Sequence, residues 1–276
     1  MSQTLVRRKS WRKRFDPFVL SFVVAGALLA LFVLLPLLST LVQTSAGALM
    51  ETLTDVDVIG SLGLTFYAAA WATALAMITG VPLAYLMARY RFRGKRWVEG
   101  IINLPIVVPH TAAGIALLTV FGRQAPVGQA FSAVGIRFFD DVPGIIAGML
   151  FVSLPFLVNA AREAFAMIDP ELEGVSLTMG ASRWQAFAYV TLPLAWRGIM
   201  AGAVMMWGRG ISEFGAVVIL AYNPQIIPVL VYERFAGFGL YAALPLTVVL
   251  ILASLFVFVI LQVLLMPQKE TVVAEE

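Results

Sequence analysis

The sequence predicts an all-α polytopic membrane protein with six transmembrane helices, and three observations carry that expectation. Of its 276 residues, 61% are hydrophobic and only 13% are charged, too few charges to coat a soluble globule of this size. The apolar residues gather into runs of about twenty or more, long enough to cross a bilayer. The basic residues gather into clusters between those runs, which is the pattern that sets topology. Because the net charge of +3 comes from those clusters and not from an overall basic surface, nucleic acid is not an expected partner; membrane lipid is. Cysteine is absent, which excludes disulfides and thiolate metal sites, and a single histidine excludes motifs such as HExxH. No cofactor or metal is expected on this chain.

Residues 1–17 form a basic N-terminal segment in which RRKSWRKR, residues 7–14, holds six of the 19 basic residues. Followed by an apolar run at 18–38 and by the small residues TSAGA at 44–48, this resembles a cleavable signal peptide. The run is longer than a signal core and long enough for about 30 Å of hydrocarbon, so we read an uncleaved first helix over 18–43. The positive-inside rule then puts the N-terminus in the cytoplasm. An acidic stretch at 51–57 faces outward, a second span at 59–88 returns, and RYRFRGKR at 89–96 lands inside. A third span at 97–121 leads out to a loop with Arg123 and Arg137, and a fourth at 142–164 leads back to the segment 169–193. A fifth span at 194–220, an outer loop with Pro224 and Pro228, and a sixth span at 240–266 complete the count, leaving the tail 267–276 in the cytoplasm with the N-terminus. Outside the spans only Arg123, Arg137 and Arg234 fall on the outer side.

The segment 169–193 is punctuated as two short helices. Asp169 is an N-cap with Pro170 at the first helical position; Leu172, Val175 and Met179 give an apolar face; Gly180 can take the left-handed turn that ends the helix. Ser182 and Gln185 form a capping-box pattern, so a second helix starts at once, at an angle, and runs to Pro193. Such an elbow suits insertion into a groove on a soluble partner; a surface loop that is helical fits the same punctuation.

Ionisable groups at membrane depth cost roughly 2.5–3.5 kcal/mol on insertion scales and need a reason. The fifth span carries Arg209 and Glu213 four apart on one helix face, with Ser212 beside them and Gly208, Gly210 and Gly215 around them. Two readings stand: a self-neutralising pair packed against neighbours, or a face lining a path for an oxyanion, attracted by Arg209 and kept from being trapped by Glu213. In the third span Pro105 and Pro109 each remove a donor, so that helix should bend, and His110 follows at a depth comparable to that of Arg209. A bent helix facing a glycine-rich polar one reads as a gate; a hydrogen-bonded packing histidine is the alternative. Pro82, Pro155 and Asn159 read as kinks and interhelical bonding. A Walker-type GxxxxGK[ST], a serine nucleophile motif and paired carboxylates in a cleft are all missing, so the chain is neither an ATP-binding subunit nor an expected enzyme.

Gly180, followed thirteen residues later by Pro193 in Leu192-Pro193, matches the "EAA" loop of ABC importer membrane subunits. Gly174, Val175 and Ser176 occupy the Glu-Ala-Ala positions, Glu173 stands one place early, and Val190 replaces the usual isoleucine. LPIVVPHTAAGIALL at 104–118 and GRGISEFGAVVILAYNP at 208–224 resemble the molybdate and tungstate permeases of this family, and the resemblance runs from about residue 18 to 266. It implies a type I (MetI-like) permease domain over 59–266, with the first helix wrapping a neighbouring subunit. It further implies a loop (Glu173, Gly174, Val175, Ser176, Gly180, Ala181, Ser182, Leu192, Pro193) that docks on an ATPase subunit, which uses ATP and Mg. Two copies of the chain should pair, and an oxyanion-binding protein should dock on the outer loops around 44–58, 123–141 and 221–239. Pro109, His110, Arg209, Ser212 and Glu213 are the expected path or gate. Sulfate is the rival substrate, since sulfate permeases resemble the chain around ISEFGA. Outside this family, a polytopic membrane enzyme or a stand-alone channel are the alternatives.

Overall fold

The computed structural model describes residues 17–265, so the basic cluster at 7–14 and the tail at 267–276 lie outside the described residues. All regular structure among the described residues is helical. The chain divides into two units between Ser45 and Ala46. Within the first, α1 (Pro17–Gln43) has 27 residues with mean hydropathy 2.9 and no buried side chain. Its hydroxyls turn back on its own backbone, Ser21 to the Phe18 carbonyl and Thr40 to that of Leu37, which is what a lipid surround requires.

The second unit opens with a short helix, α2 (Ala46–Thr54), where the sequence suggested only a loop. Asp55 then caps the 34-residue α3 (Val56–Arg89) by accepting from the Asp57 N–H at 3.0 Å. After the turn at Gly94 come α4 (Lys95–Val107), α5 (His110–Phe121) and a short helix, α6 (Pro126–Ala133). The span α7 (Val142–Ala166) leads to α8 (Pro170–Thr178) and α9 (Arg183–Ala186). A π-turn at Phe187–Thr191 joins α9 to α10 (Leu192–Ile211), and α11 (Val217–Leu220), α12 (Ile227–Phe238) and α13 (Leu240–Leu265) follow. Among the described residues five helices are long and apolar enough to cross a membrane, and the bent α4–α5 pair, counted as one broken span, would bring the number to six.

The core is α3, α7 and α10, packed through small side chains such as Ala76, Ala84, Ala161, Ala195 and Ala203. Small residues let helix backbones close up where lipid supplies no hydrophobic push. At Gly202 a Cβ would lie 2.6 Å from the Cβ of Ala160, so α10 rests directly on α7. Arg234 of α12 donates to Asp55 at 2.8 Å, and this hydrogen bond holds the Asp55 carboxyl below its ordinary value of 3.8.

Three sequence expectations are corrected. The third span does not merely bend: α4 and α5 meet at 117°, with Val108 and Pro109 outside either helix. Pro105 stays inside α4, so Pro109 alone makes the break. Within the fold, α4 bonds to α7 at Asn159 and Arg162, whereas α5 packs with Ala147, Phe151 and Val152 of α7 and with Leu220. The fifth span is not one helix to residue 220; α10 ends at Ile211, and residues 212–216 are non-helical before α11. Finally, the helix after Gly180 does not stop at Pro193. The proline's missing N–H is absorbed by the π-turn, in which the Leu192 N–H reaches the Phe187 carbonyl, and the helix runs unbroken from Arg183 to Ile211.

Candidate coupling and translocation site

From Asp169 to the cap at Ser182 the segment folds as its punctuation dictates. Asp169 accepts from the Glu171 N–H at 2.9 Å, and Ser182 and Gln185 close a reciprocal capping box. Between them Gly180 takes φ +94°, the Ala181 N–H reaches the Ser176 carbonyl at 3.1 Å, and the Gly180 N–H reaches that of Leu177 at 3.0 Å. These two bonds define a Schellman ending, which needs a left-handed residue at that place. Leu172, Val175 and Met179, whose spacing would ordinarily mark a core face, point outward: Met179 is 83% exposed, and Trp184 across the elbow is 74% exposed. Apolar side chains are thus exposed on both arms of the elbow. Gly174 is exposed and open, Ser176 bonds back to the Glu173 carbonyl, Ala181 and Leu192 are half-buried, and Pro193 is exposed.

Glu173 behaves differently. It accepts from Tyr85 Oη at 3.0 Å, Arg89 Nε at 2.8 Å and Thr191 Oγ1 at 2.8 Å, all outside its own helix. Tyr85, Arg89 and Thr191 escaped the sequence reading, which counted Arg89 only as a topology charge. A tyrosine and an arginine four apart in the last turn of α3 share one helix face, and that spacing was the available signal.

At the far end of α10 the other candidates converge. Arg209 Nη2 lies 2.9 Å from His110 Nε2 and donates to Glu213 Oε2 at 2.9 Å, while its Nη1 donates to Ser212 Oγ at 3.2 Å. Glu213 is 1% exposed and sits beyond the helix end, not on its face; its other oxygen accepts the Ala216 N–H at 2.8 Å, just ahead of α11. The carboxylate is thus fully occupied, and it neutralises the arginine from below. His110, the first residue of α5 after Pro109, is exposed on its outer side, and Arg209 is partly so. The close approach rests on Gly215, where a Cβ would fall 2.6 Å from His110 Cβ, and on Gly114, where it would fall 2.9 Å from the Ala216 carbonyl oxygen. The arrangement presents a guanidinium and an imidazole at one spot, backed by a buried carboxylate. It can attract an anion without holding it at full charge. Asn159 donates to Asn103 at 2.6 Å, and Arg162 pairs with Glu99 at 3.0 Å, so these hold α4 on α7 and take no part in the cluster.

A family model described as "Binding-protein-dependent transport system inner membrane component" matches residues 80–267, more than half of the chain. The molybdate/tungstate transport system permease protein WtpB of Pyrococcus furiosus is 41% identical over 251 residues, covering 90% of this chain and 96% of that protein. The sulfate transport system permease protein CysT of Escherichia coli is 29% identical over 253 residues, covering 89% and 91%. A crystal structure of a bacterial ABC transporter involved in the import of the acidic polysaccharide alginate superposes with a TM-score of 0.72 over 91% of this chain and 95% of that one. At 16% identity that likeness is one of fold, and it bears out the expected permease architecture. The chain belongs to the family of binding-protein-dependent transport system inner membrane components, the membrane subunits of ABC importers.

Proposed function

We propose that the chain is the permease subunit of an importer for tungstate and molybdate, with no catalytic centre of its own. Similarity favours these oxyanions over sulfate, since the tungstate permease is the nearer of the two relatives described above. Two copies form the path: the Arg209 cluster opens on the protomer surface, so a channel needs a second wall. An ATPase subunit, using ATP and Mg, docks on residues 169–193 in the cytoplasm, where both termini also lie. An oxyanion-binding protein delivers its cargo to the outer loops.

The observation that carries this reading is a single helix, Arg183–Ile211, with the exposed elbow at one end and the Arg209 cluster at the other. A motor gripping the elbow acts directly on the gate. No tight site for the anion is expected at the cluster, because alternating access needs weak contacts. The test is uptake into proteoliposomes holding the permease, its ATPase and its binding protein. Tungstate or molybdate should enter only with ATP and should resist excess sulfate. Uptake without an ATPase would mean a channel, and sulfate import of equal efficiency would move the chain to the rival substrate.

A further inference from the structure

The helix α8 has little to fix it in place. It is nine residues long, non-helical residues flank it at Met167–Asp169 and Met179–Ser182, and Leu172, Val175, Leu177 and Met179 are exposed. Side-chain hydrogen bonds from α8 to the spans converge on Glu173, whose carboxylate is 16% exposed. Arg89 uses its remaining reach to donate Nη1 to the Ile168 carbonyl at 3.0 Å, closing the link to the end of α7. The Tyr85 ring is itself clamped, with Phe187 at 4.8 Å and Phe165 at 5.4 Å between centroids.

Resting on the reading of residues 169–193 as the surface that meets the ATPase, the geometry points to Glu173 as a positioning residue. It is a latch that makes α8, the end of α3 and the π-turn ahead of α10 move as one body. With the latch closed, a push on α8 has two outlets. One is covalent, through Gly180 into α9 and α10; the other runs through the carboxylate into α3, which the Gly180 elbow does not reach. With the latch open, α8 can swing about its two non-helical flanks and leave both spans behind. The chemistry demands a carboxylate, because three donors, one of them cationic, converge on two oxygens. A glutamine would turn an NH2 group toward donors, and an aspartate would fall short by one methylene.

The experiment uses the full permease with its ATPase and binding protein in proteoliposomes and reads tungstate imported per ATP hydrolysed, at matched membrane abundance. Glu173→Gln should lower that ratio about tenfold while hydrolysis continues, the scale of one charge-assisted hydrogen bond. Glu163→Gln, exposed on α7 and outside residues 169–193, should leave it unchanged. Arg89→Gln should resemble Glu173→Gln, and the double variant should be no worse than the poorer single one, because the two lose one shared contact. If Glu173→Gln does not insert, Tyr85→Phe and Thr191→Val each remove one donor and should each lower the ratio severalfold. A normal ratio in Glu173→Gln beside an uncoupled Gly180→Val overturns the latch and leaves the coupling loop standing. Normal ratios in both would remove the coupling loop, and the latch with it.

Discussion

Replacing Gly180 with valine isolates the elbow from everything else in the protein. A Cβ built at this position meets nothing within 4 Å, so the substitution cannot clash. What it meets instead is its own backbone: φ is +94°, where an ordinary residue pays roughly 1–2 kcal/mol and a β-branched one stands at the upper end. If the residue escapes to negative φ, the bond from the Ala181 N–H to the Ser176 carbonyl is lost, and α9 leaves α8 in another direction. A cost of that size lowers the population of the native elbow about tenfold or more relative to alternatives. Gly174→Ala is the matched control. Gly174 is helical, exposed and open, so alanine should stabilise α8 by about 0.5–1 kcal/mol. The assay is tungstate-stimulated ATP hydrolysis and uptake by the reconstituted complex, with permease abundance measured alongside. Gly180→Val should insert normally, because the elbow is exposed and remote from the core, yet lose stimulation and uptake together. Undiminished stimulation and uptake would show that the angle between α8 and α9 transmits nothing.

Arg209→Gln should cut uptake severalfold and flatten its dependence on ionic strength, since attraction by a partly exposed charge is screened over about 8 Å at physiological salt. Undiminished uptake with unchanged salt response would leave the arginine a packing role only. Gly215→Ala places a Cβ 2.6 Å from His110 Cβ, so α5 must retreat; a loss of about 1–3 kcal/mol in thermal unfolding should accompany slower transport. Unaltered melting would mean that the start of α5 is free to shift. The Arg234–Asp55 pair gives a pH prediction. Its carboxyl lies below 3.8 in the folded state, so the contribution is complete above that value and disappears as pH falls through the lower folded one. The melting-temperature gap between the native chain and Asp55→Asn should therefore narrow as pH falls below 3.8, and a gap that stays constant through that descent would refute it.

What the sequence disclosed was what lies within four residues. The caps at Asp169 and Ser182 and the left-handed glycine between them are set by neighbours along the chain, and each forms as its spacing required. Pro193 misled for a physical reason. A proline removes the bond to the residue four before it, and that loss reads as a helix end, but one extra residue in the preceding turn supplies the register in which no N–H is needed. Nothing in the letters FAYVT announces a π-turn. Glu213 misled similarly: a spacing of four from Arg209 permits an ion pair on a helix face, yet the pair here forms across a helix end, and the second oxygen is spent on Ala216. Depth counting put His110 and Arg209 at one level, whereas their contact depends on two glycines, 114 and 215, in different elements. Tyr85 and Arg89 share a helix face by spacing, but they lie 88 and 84 residues from Glu173, and Thr191 lies 18 away, so no spacing rule ties any of them to it.

If, as proposed, an ATPase displaces the elbow, the unbroken helix sets the scale of the effect at its other end. From Arg183 to Ile211 is 29 residues, about 43 Å at the usual rise. Its tightest seat is on α7, where Cβ atoms at Gly198 and Gly202 would fall 2.4 and 2.6 Å from those of Ala164 and Ala160. If the rod pivots rigidly at that seat, its two ends move in opposite senses. The seat lies about 25 Å from the elbow end and about 14 Å from Arg209, so Arg209 moves about half as far as the elbow, in the opposite sense. The Arg209–His110 contact is 2.9 Å, and a hydrogen bond is gone once the separation passes about 3.5 Å. A displacement of only about 1–2 Å at the elbow is therefore enough to part the arginine from the histidine on α5. A helix broken at Pro193 would spend that displacement at the break, and the π-turn keeps the rod continuous at that place.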